Sequence, residues 1–218
     1  MSQLRIKLCG VRTVEDALLC AEAGADEIGV IFAARSKRRV DLAMAQAIRA
    51  ALPADLPVVG VFLDAPLDEV LRTVREAGLQ AAQLHGAWPA AELHGARTAA
   101  EHHGATAAHD SIPFYAALQV SGVESLEARP GAARILLDGP AGGSGKSFAW
   151  SLAAHARARF AAPLFIAGGL SPENVAQAIA EAQPAGVDVA SGIENAHGYK
   201  DPARVRAFVR AARGADSK

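Results

Sequence analysis

Arg5-Ile6-Lys7-Leu8-Cys9, then Thr13-Val14-Glu15-Asp16, then Glu27-Ile28-Gly29-Val30-Ile31-Phe32 set out a strand, a helix start and a second strand in one short span. A run of apolar and β-branched residues is followed by a helix-period segment opening at a capping Thr, and the run then returns. That order predicts a β-α-β unit. The alternation continues outward to the end of the chain. Candidate strands are Arg5 to Cys9, Glu27 to Phe32, Pro57 to Leu63, Ala81 to His85, Phe114 to Val120, Arg134 to Asp138, Leu164 to Ala167 and Val187 to Ala190. Alanine-rich helical segments separate them, one heralded by the turn Ser171-Pro172-Glu173. Ser121 to Arg129 carries little apolar face, so the helix after the fifth strand is expected to be short or missing.

Strand and helix in strict alternation imply a parallel sheet with right-handed crossovers, and eight such units favour closure into a (β/α)8 TIM barrel. An open doubly wound sheet is the alternative, but its usual glycine fingerprint after the first strand is missing. The length of 218 residues suits one barrel domain over residues 1–218. With 51% hydrophobic and 21% charged residues, there is ample material for one core.

A net charge of -1 offers no global attraction for nucleic acid or an acidic membrane, so an anionic ligand needs a local site. Cys9 and Cys20 are too few for a disulfide framework, and both sit in apolar segments. The first residues lack an apolar signal core, and no window approaches membrane-span length. The expectation is a cytoplasmic monomer that binds a small molecule, with no nucleic-acid or membrane partner and no cofactor or metal.

In such a barrel the active site forms at the C-terminal ends of the strands. Those ends supply Cys9, Arg38 just past the second strand, His85, Asp138, Gly168-Gly169 and Ser191-Gly192. Alternation puts Lys7 with Cys9, Gln83 with His85, and Asp188 with Ala190 on single faces, expected to point inward. A lysine inside the barrel needs a counter-ion, and Asp188 on the adjoining strand, also expected among the substrate-binding residues, is the candidate, the alternative being that Lys7 faces a wet lower opening.

Three glycine-rich turns follow the last three strands: Gly142-Gly143-Ser144-Gly145-Lys146, Gly168-Gly169 and Ser191-Gly192. Any one of them reads as a tight turn. Together they predict a phosphate cradle built from backbone N–H groups, with Gly143, Ser144, Gly145, Gly168, Gly169, Ser191 and Gly192 as its members. The first run lacks the glycine spacing of a nucleoside-triphosphate loop.

Asp138, in a half-buried mouth, is a candidate proton donor, the alternative being a loop-starting Asp that binds its own backbone. Cys9 stands before a helix N-terminus whose dipole would favour the thiolate, the alternative being a small buried hydrophobe. His85 either contacts substrate or orients a loop. Cys20, His94, His102, His103 and His109 lie away from strand ends and receive no role.

An ordered series of segments now resembles one family. It comprises Ile6-Lys7-Leu8-Cys9-Gly10, Ala23 to Asp26 with Gly29 to Phe32, Ser36 to Arg39, Val59 to Phe62, Gln83-Leu84-His85-Gly86, Leu136-Leu137-Asp138, Gly142 to Phe148, Ala167 to Val175, Val187 to Glu194 and Lys200-Asp201-Pro202. The chain resembles phosphoribosylanthranilate isomerase of tryptophan biosynthesis from its first strand to its last helix. The resemblance implies an Amadori rearrangement of N-(5-phosphoribosyl)anthranilate to 1-(2-carboxyphenylamino)-1-deoxyribulose 5-phosphate, without metal or organic cofactor. It also implies Asp138 as general acid, Cys9 as general base and Arg38 as a substrate-binding arginine, with the glycine-rich turns holding phosphate.

The sequence departs from the family pattern at Ala149, Ala190 and Arg12, and its fifth strand, Phe114 to Val120, lacks the usual lysine. None of these is the proposed acid or base. Two other readings compete. The histidine-pathway ribotide isomerases use aspartates at both catalytic strand ends, which Cys9 opposes. A non-catalytic phosphoribosyl-binding barrel is opposed by the presence of both Cys9 and Asp138.

Overall fold

The structure is a computed structural model that describes residues 3–86, 88, 112–120, 122, 126, 131–139 and 150–216. Its strands are β1 (Arg5–Cys9), β2 (Glu27–Ile31), β3 (Val58–Leu63), β4 (Ala81–His85), β5 (Phe114–Gln119), β6 (Arg134–Asp138), β7 (Leu164–Ile166) and β8 (Gly186–Val189). Each pairs in parallel with its neighbour in sequence, and β8 returns to β1, closing the barrel. Closure settles the choice against an open sheet.

The helices are α1 (Val14–Glu22), α2 (Leu42–Ala51), α3 (Leu67–Glu76), α4 (Ser151–Arg159), α5 (Val175–Ala182) and α6 (Pro202–Asp216), with a 3₁₀ turn at Ser191–Ile193. Within 121–129 only Gly122 and Leu126 are described, so the expected short or missing helix lies outside the described residues. Among the described residues, no helix is long and apolar enough to cross a membrane.

Caps fix where the helices begin. Thr13 Oγ1 accepts from the Asp16 N–H at 3.1 Å, as the sequence predicts, and Asp41 Oδ1 accepts from Met44 N–H at 2.8 Å. Such a bond satisfies an orphan donor of the first turn and contributes about 1 kcal/mol. The last helix is tied to the first strand: Arg213 donates to the Leu4 carbonyl at 2.5 Å and to Asp26 at 2.7 Å.

Strand alternation sorts side chains into two cores. Ile6, Leu8, Ile28 and Val30 pack outward against the helices and are fully buried. Inside the barrel, Ala117, Leu136, Phe165 and Ala167 form a second cluster. Both faces of the sheet are therefore dry, which is why the strands read as nearly continuous apolar runs. Gly186 belongs to this inner packing, because a Cβ there would lie 2.3 Å from the Phe165 ring.

Inside the same barrel, Arg134 of β6 reaches across to Glu27 of β2 with two bonds of 2.6 Å. Its guanidinium also lies 4.0 Å from the Tyr115 ring centre and 3.8 Å from that of Phe165. A buried pair of this kind holds opposite walls in register, since stranding one charge costs about 3–5 kcal/mol. This polar layer supports the catalytic end without belonging to it.

Candidate active site

Cys9 ends β1 with 6% of its surface exposed. Its partner in register on β2 is Gly29, where a Cβ would sit 2.6 Å from the sulfur. A side chain at that position has no room, so Gly29 is what lets the thiol occupy the mouth of the barrel. Two residues back, Lys7 is 1% exposed and donates to Asp188 Oδ2 at 2.8 Å. Register pairs these two residues directly, so the expected ion pair is present.

Asp188 Oδ1 is buried and has no partner among the described residues. An unused acceptor on a cavity wall is a place for a ligand donor, since leaving it dry and unpaired costs about 1–3 kcal/mol.

Burial pushes the Cys9 thiol up, and Asp188 adds to this, while Lys7 and Lys200 pull against it. The N-terminus of α1 therefore does not favour the Cys9 thiolate as the sequence predicts. α1 begins at Val14, beyond the reach of an effect that fades within one turn, and desolvation dominates. This cysteine holds its proton above the ordinary thiol value.

Asp138 ends β6 and lines the cavity. Burial, and then the Asp188 carboxylate, push its carboxyl up to about 6, against the Gly139 N–H and Lys7. That N–H donates to Asp138 Oδ1 at 2.8 Å. Gly168 presses against the same group: its φ is +79°, and a Cβ would come within 2.5 Å of Gly139 N and 2.9 Å of Asp138 Oδ1. The glycine after β7 thus shapes the acid's surroundings as well as the loop.

His85 ends β4 beside Gln83, with 2.9 Å between Gln83 Nε2 and His85 Nε2. Burial, helped by Lys7, takes the imidazole down to about 4, so it is neutral at pH 7. Trp88 Nε1–H donates to the His85 carbonyl at 3.1 Å, fixing the turn beyond it.

Arg38 comes from the loop after β2 and is 6% exposed. It grips Glu194 with two bonds, Nε to Oε1 at 2.5 Å and Nη2 to Oε2 at 2.8 Å. The hydrogen bonds it donates to the Glu194 carboxylate raise the guanidinium further above its already high value. Burial alone would raise the Glu194 carboxyl, but Arg38 and Lys200 outweigh it and hold it low. Gly10, at φ +72°, leaves space for Arg38, whose Cδ would lie 2.5 Å from a Cβ there.

Glu194 and Lys200 received no role from the sequence reading. They appear in it only as parts of matching segments, and nothing in their spacing reveals that both are buried under Arg38.

The loops after β7 and β8 complete the site. Gly168, Gly169 and Ser191 line the cavity together with Cys9, Arg38, His85, Asp138 and Asp188. Gly192 stands behind that wall: a Cβ would meet the Leu170 carbonyl oxygen at 1.9 Å, so it brings the two loops together. Asn174 holds the β7 loop by accepting from Ser171 N–H and donating to the Gly169 carbonyl, each at 2.8 Å. Gly143, Ser144, Gly145 and Ala149 lie outside the described residues. Among the described residues, no group of three or more His, Cys, Asp or Glu side chains is arranged to hold a metal ion.

Of the departures noted in the sequence, Arg12 has a clear environment. Its guanidinium carbon stands 4.4 Å from the centre of the Tyr199 ring. Ala190 contributes its backbone carbonyl, which accepts from Lys200 Nζ at 3.1 Å.

Asp138, Cys9 and Arg38 therefore line one cavity together with Gly168, Gly169 and Ser191. Residues 6–211 match the family described as N-(5'phosphoribosyl)anthranilate (PRA) isomerase. The chain is 41% identical over 224 residues to N-(5'-phosphoribosyl)anthranilate isomerase of Pseudomonas putida strain W619, covering 99% of this chain and 100% of that protein. The crystal structure of phosphoribosyl anthranilate isomerase from Thermus thermophilus superposes with a TM-score of 0.84 at 34% identity, covering 97% of this chain and 99% of that one. A phosphoribosyl anthranilate isomerase in complex with reduced 1-(o-carboxyphenylamino)-1-deoxyribulose 5-phosphate superposes with a TM-score of 0.81 at 35% identity, with the same coverage. A match running from the first strand into the last helix, on a barrel of the same closure, leaves one conclusion: this chain belongs to the N-(5'-phosphoribosyl)anthranilate isomerase family.

Proposed function

We propose that Asp138 and Cys9 carry out the Amadori rearrangement of N-(5-phosphoribosyl)anthranilate as general acid and general base. Protonation of the ribose ring oxygen by Asp138 lets the C1–O bond break, while the nitrogen lone pair forms a Schiff base. The Cys9 thiolate then takes the C2 proton, the electrons of that C–H bond pass to the C1–C2 bond, and the C1–N π pair returns to nitrogen. Delivery of the proton on sulfur to C1, and of the C2 hydroxyl proton to Asp138, gives the ketone and resets both groups. No external oxidant or reductant enters, as an isomerisation requires.

The observation that carries this reading is that one cavity holds a carboxyl raised to about 6 and a thiol flanked by the Lys7 ammonium. An acid needs a proton within reach of neutral pH, and burial moves the carboxyl toward that range. A base needs its anion stabilised, and Lys7 works in that direction against desolvation. His85, neutral at pH 7, is suited to hydrogen bonding within the site and not to ion pairing. Asp188 Oδ1 remains free among the described residues to accept from a substrate hydroxyl.

Arg38 is assigned to an anionic group of the substrate. Its Nε and Nη2 are engaged by Glu194, so the guanidinium is oriented before substrate arrives. The phosphate is assigned to the N–H groups of Gly168, Gly169 and Ser191, with Gly192 behind them and Gly143, Ser144 and Gly145 completing the cradle. The solved family member holding the reduced ribulose 5-phosphate compound supports a phosphosugar ligand here.

A fluorescence assay with freshly made phosphoribosylanthranilate tests the activity directly. Signal loss dependent on the protein is expected, with the imidazole ribotide of the histidine pathway left unchanged. Turnover of the ribotide alone would overturn the assignment.

A further inference from the structure

We propose that Lys200 and Glu194 are positioning residues that set Arg38 and the Cys9 strand end for the reaction, although neither touches substrate. This deepens the function proposed above and rests on it. Lys200 is 3% exposed, and its ammonium has three acceptors: the Cys9 carbonyl at 2.7 Å, the Ala190 carbonyl at 3.1 Å and Glu194 Oε1 at 3.2 Å. Each of its three N–H bonds is thus committed, which removes it from proton transfer. It joins the end of β1 to the residue just after β8, the seam where the barrel closes on itself.

Through Glu194 the same ammonium reaches Arg38. Glu194 Oε1 accepts from both Lys200 and Arg38 Nε, and Oε2 accepts from Arg38 Nη2. One carboxylate between two cations leaves a net charge of about +1 for the trio by simple Coulomb counting. The trio is anchored from outside by Asp16, whose Oδ1 accepts from the Lys200 N–H at 3.1 Å. A bidentate arginine held this way has little freedom to turn, so its geometry toward an anion is set in advance. The Cys9 carbonyl is held by the same network, so the base and the anion-binding group share one support.

The charge arrangement gives a test that packing alone would not satisfy. Lys200→Met removes a positive charge that acts on the Cys9 thiol, whereas Glu194→Gln removes the counter-ion that Lys200 and Arg38 share. The other ionisable groups around the sulfur are unchanged: Lys7 on its own strand, Asp188 on β8, Arg38 beyond β2, and Asp138 and His85 on the same cavity wall. The pH dependence of Cys9 alkylation by iodoacetamide, followed by peptide mass spectrometry, reads the thiol without turnover. It is expected to move up by about one pH unit in Lys200→Met and down by a smaller amount in Glu194→Gln, where Lys200 and Arg38 lose their shared counter-ion. Both variants should raise KM and lower kcat/KM by about 10- to 100-fold through the loosened Arg38. In an Arg38→Ala background, Glu194→Gln should leave KM unchanged.

Shifts of one sign in both variants, no shift in either, or a KM that Glu194→Gln leaves alone would overturn the proposal. If Lys200→Met does not fold, as circular dichroism would show, the isosteric Glu194→Gln still decides through its downward shift and its dependence on Arg38. The underlying roles are checked apart from this. Full turnover by Cys9→Ala or an unaltered KM in Arg38→Ala would refute the assigned base or the anion contact, whatever the alkylation profiles show.

Discussion

Asp138→Asn is expected to lower kcat by about 10³-fold, with KM little changed, and to make the protein more stable at the same time. The loss follows from removing the only proton that the scheme delivers to the ring oxygen. The gain follows from linkage. The folded carboxyl sits at about 6 against an ordinary value of 3.8. A carboxyl whose folded value is raised favours the folded state below the ordinary value. That preference is lost as pH rises toward 6, because an ion must then be kept in a dry wall. At pH 7 to 8 the difference corresponds to about 3 kcal/mol of destabilisation, from 2.2 multiplied by 1.36 kcal/mol. Asn keeps an oxygen to accept from the Gly139 N–H and carries no charge. Urea unfolding at pH 8 should therefore show a higher midpoint for the variant, and the gap should close below about pH 4. An active Asp138→Asn, or one with a lower midpoint at pH 8, would refute the raised, catalytic carboxyl. This opposition of stability and activity marks a group held in an unfavourable state for its chemistry.

Cys9→Ser should reduce kcat by a comparable factor, about 10²- to 10⁴-fold, because a hydroxyl at this position does not ionise near neutral pH. The shorter C–O bond also withdraws the reactive atom from the space left by Gly29. The pH profile carries a sign. Productive enzyme has a proton on Asp138 and none on Cys9, yet the free carboxyl titrates near 6 and burial raises the thiol above its ordinary 9.0. In the wild-type protein kcat/KM should thus climb to a plateau at about pH 6 and fall only above the thiol value. Stopped activity assays between pH 5 and 10 would show this. The serine variant should keep a limb near 6 and lose the upper one; an upper limb retained in it would remove Cys9 as the base.

The barrel was legible because its pattern is local. β1, β4 and β6 run as read, since each ends on a polar residue facing the cavity. β8 was read from Val187 to Ala190 but runs Gly186–Val189. The reason is physical: a glycine reads as a turn, whereas Gly186 is a strand residue whose missing side chain admits the Phe165 ring. β3 begins at Val58, one residue later than read, because Pro57 has no N–H to donate, although its carbonyl accepts from Ile28.

The site was legible wherever strand alternation alone decides direction. Lys7 faces Asp188 because inward positions on adjoining strands are in register. The thiol's titration was not legible, since desolvation depends on how the whole mouth closes. Arg38 with Glu194 and Arg134 with Glu27 were missed as pairs for a related reason. They are separated by 156 and 107 residues, and only barrel closure brings them together. Lys200 and Glu194 lie six residues apart, but a charged pair at that spacing reads as solvated surface until the segment folds back over the seam.

The most direct measurement is a crystal structure of this protein with reduced 1-(o-carboxyphenylamino)-1-deoxyribulose 5-phosphate. The Cys9 sulfur and an Asp138 carboxyl oxygen should lie on opposite sides of the ribulose chain, each within about 3–3.5 Å of its reacting region. The phosphate should sit on the N–H groups of Gly168, Gly169 and Ser191. A ligand bound with either group turned away from the sugar, or with its phosphate seated elsewhere, would contradict the shared acid and base site.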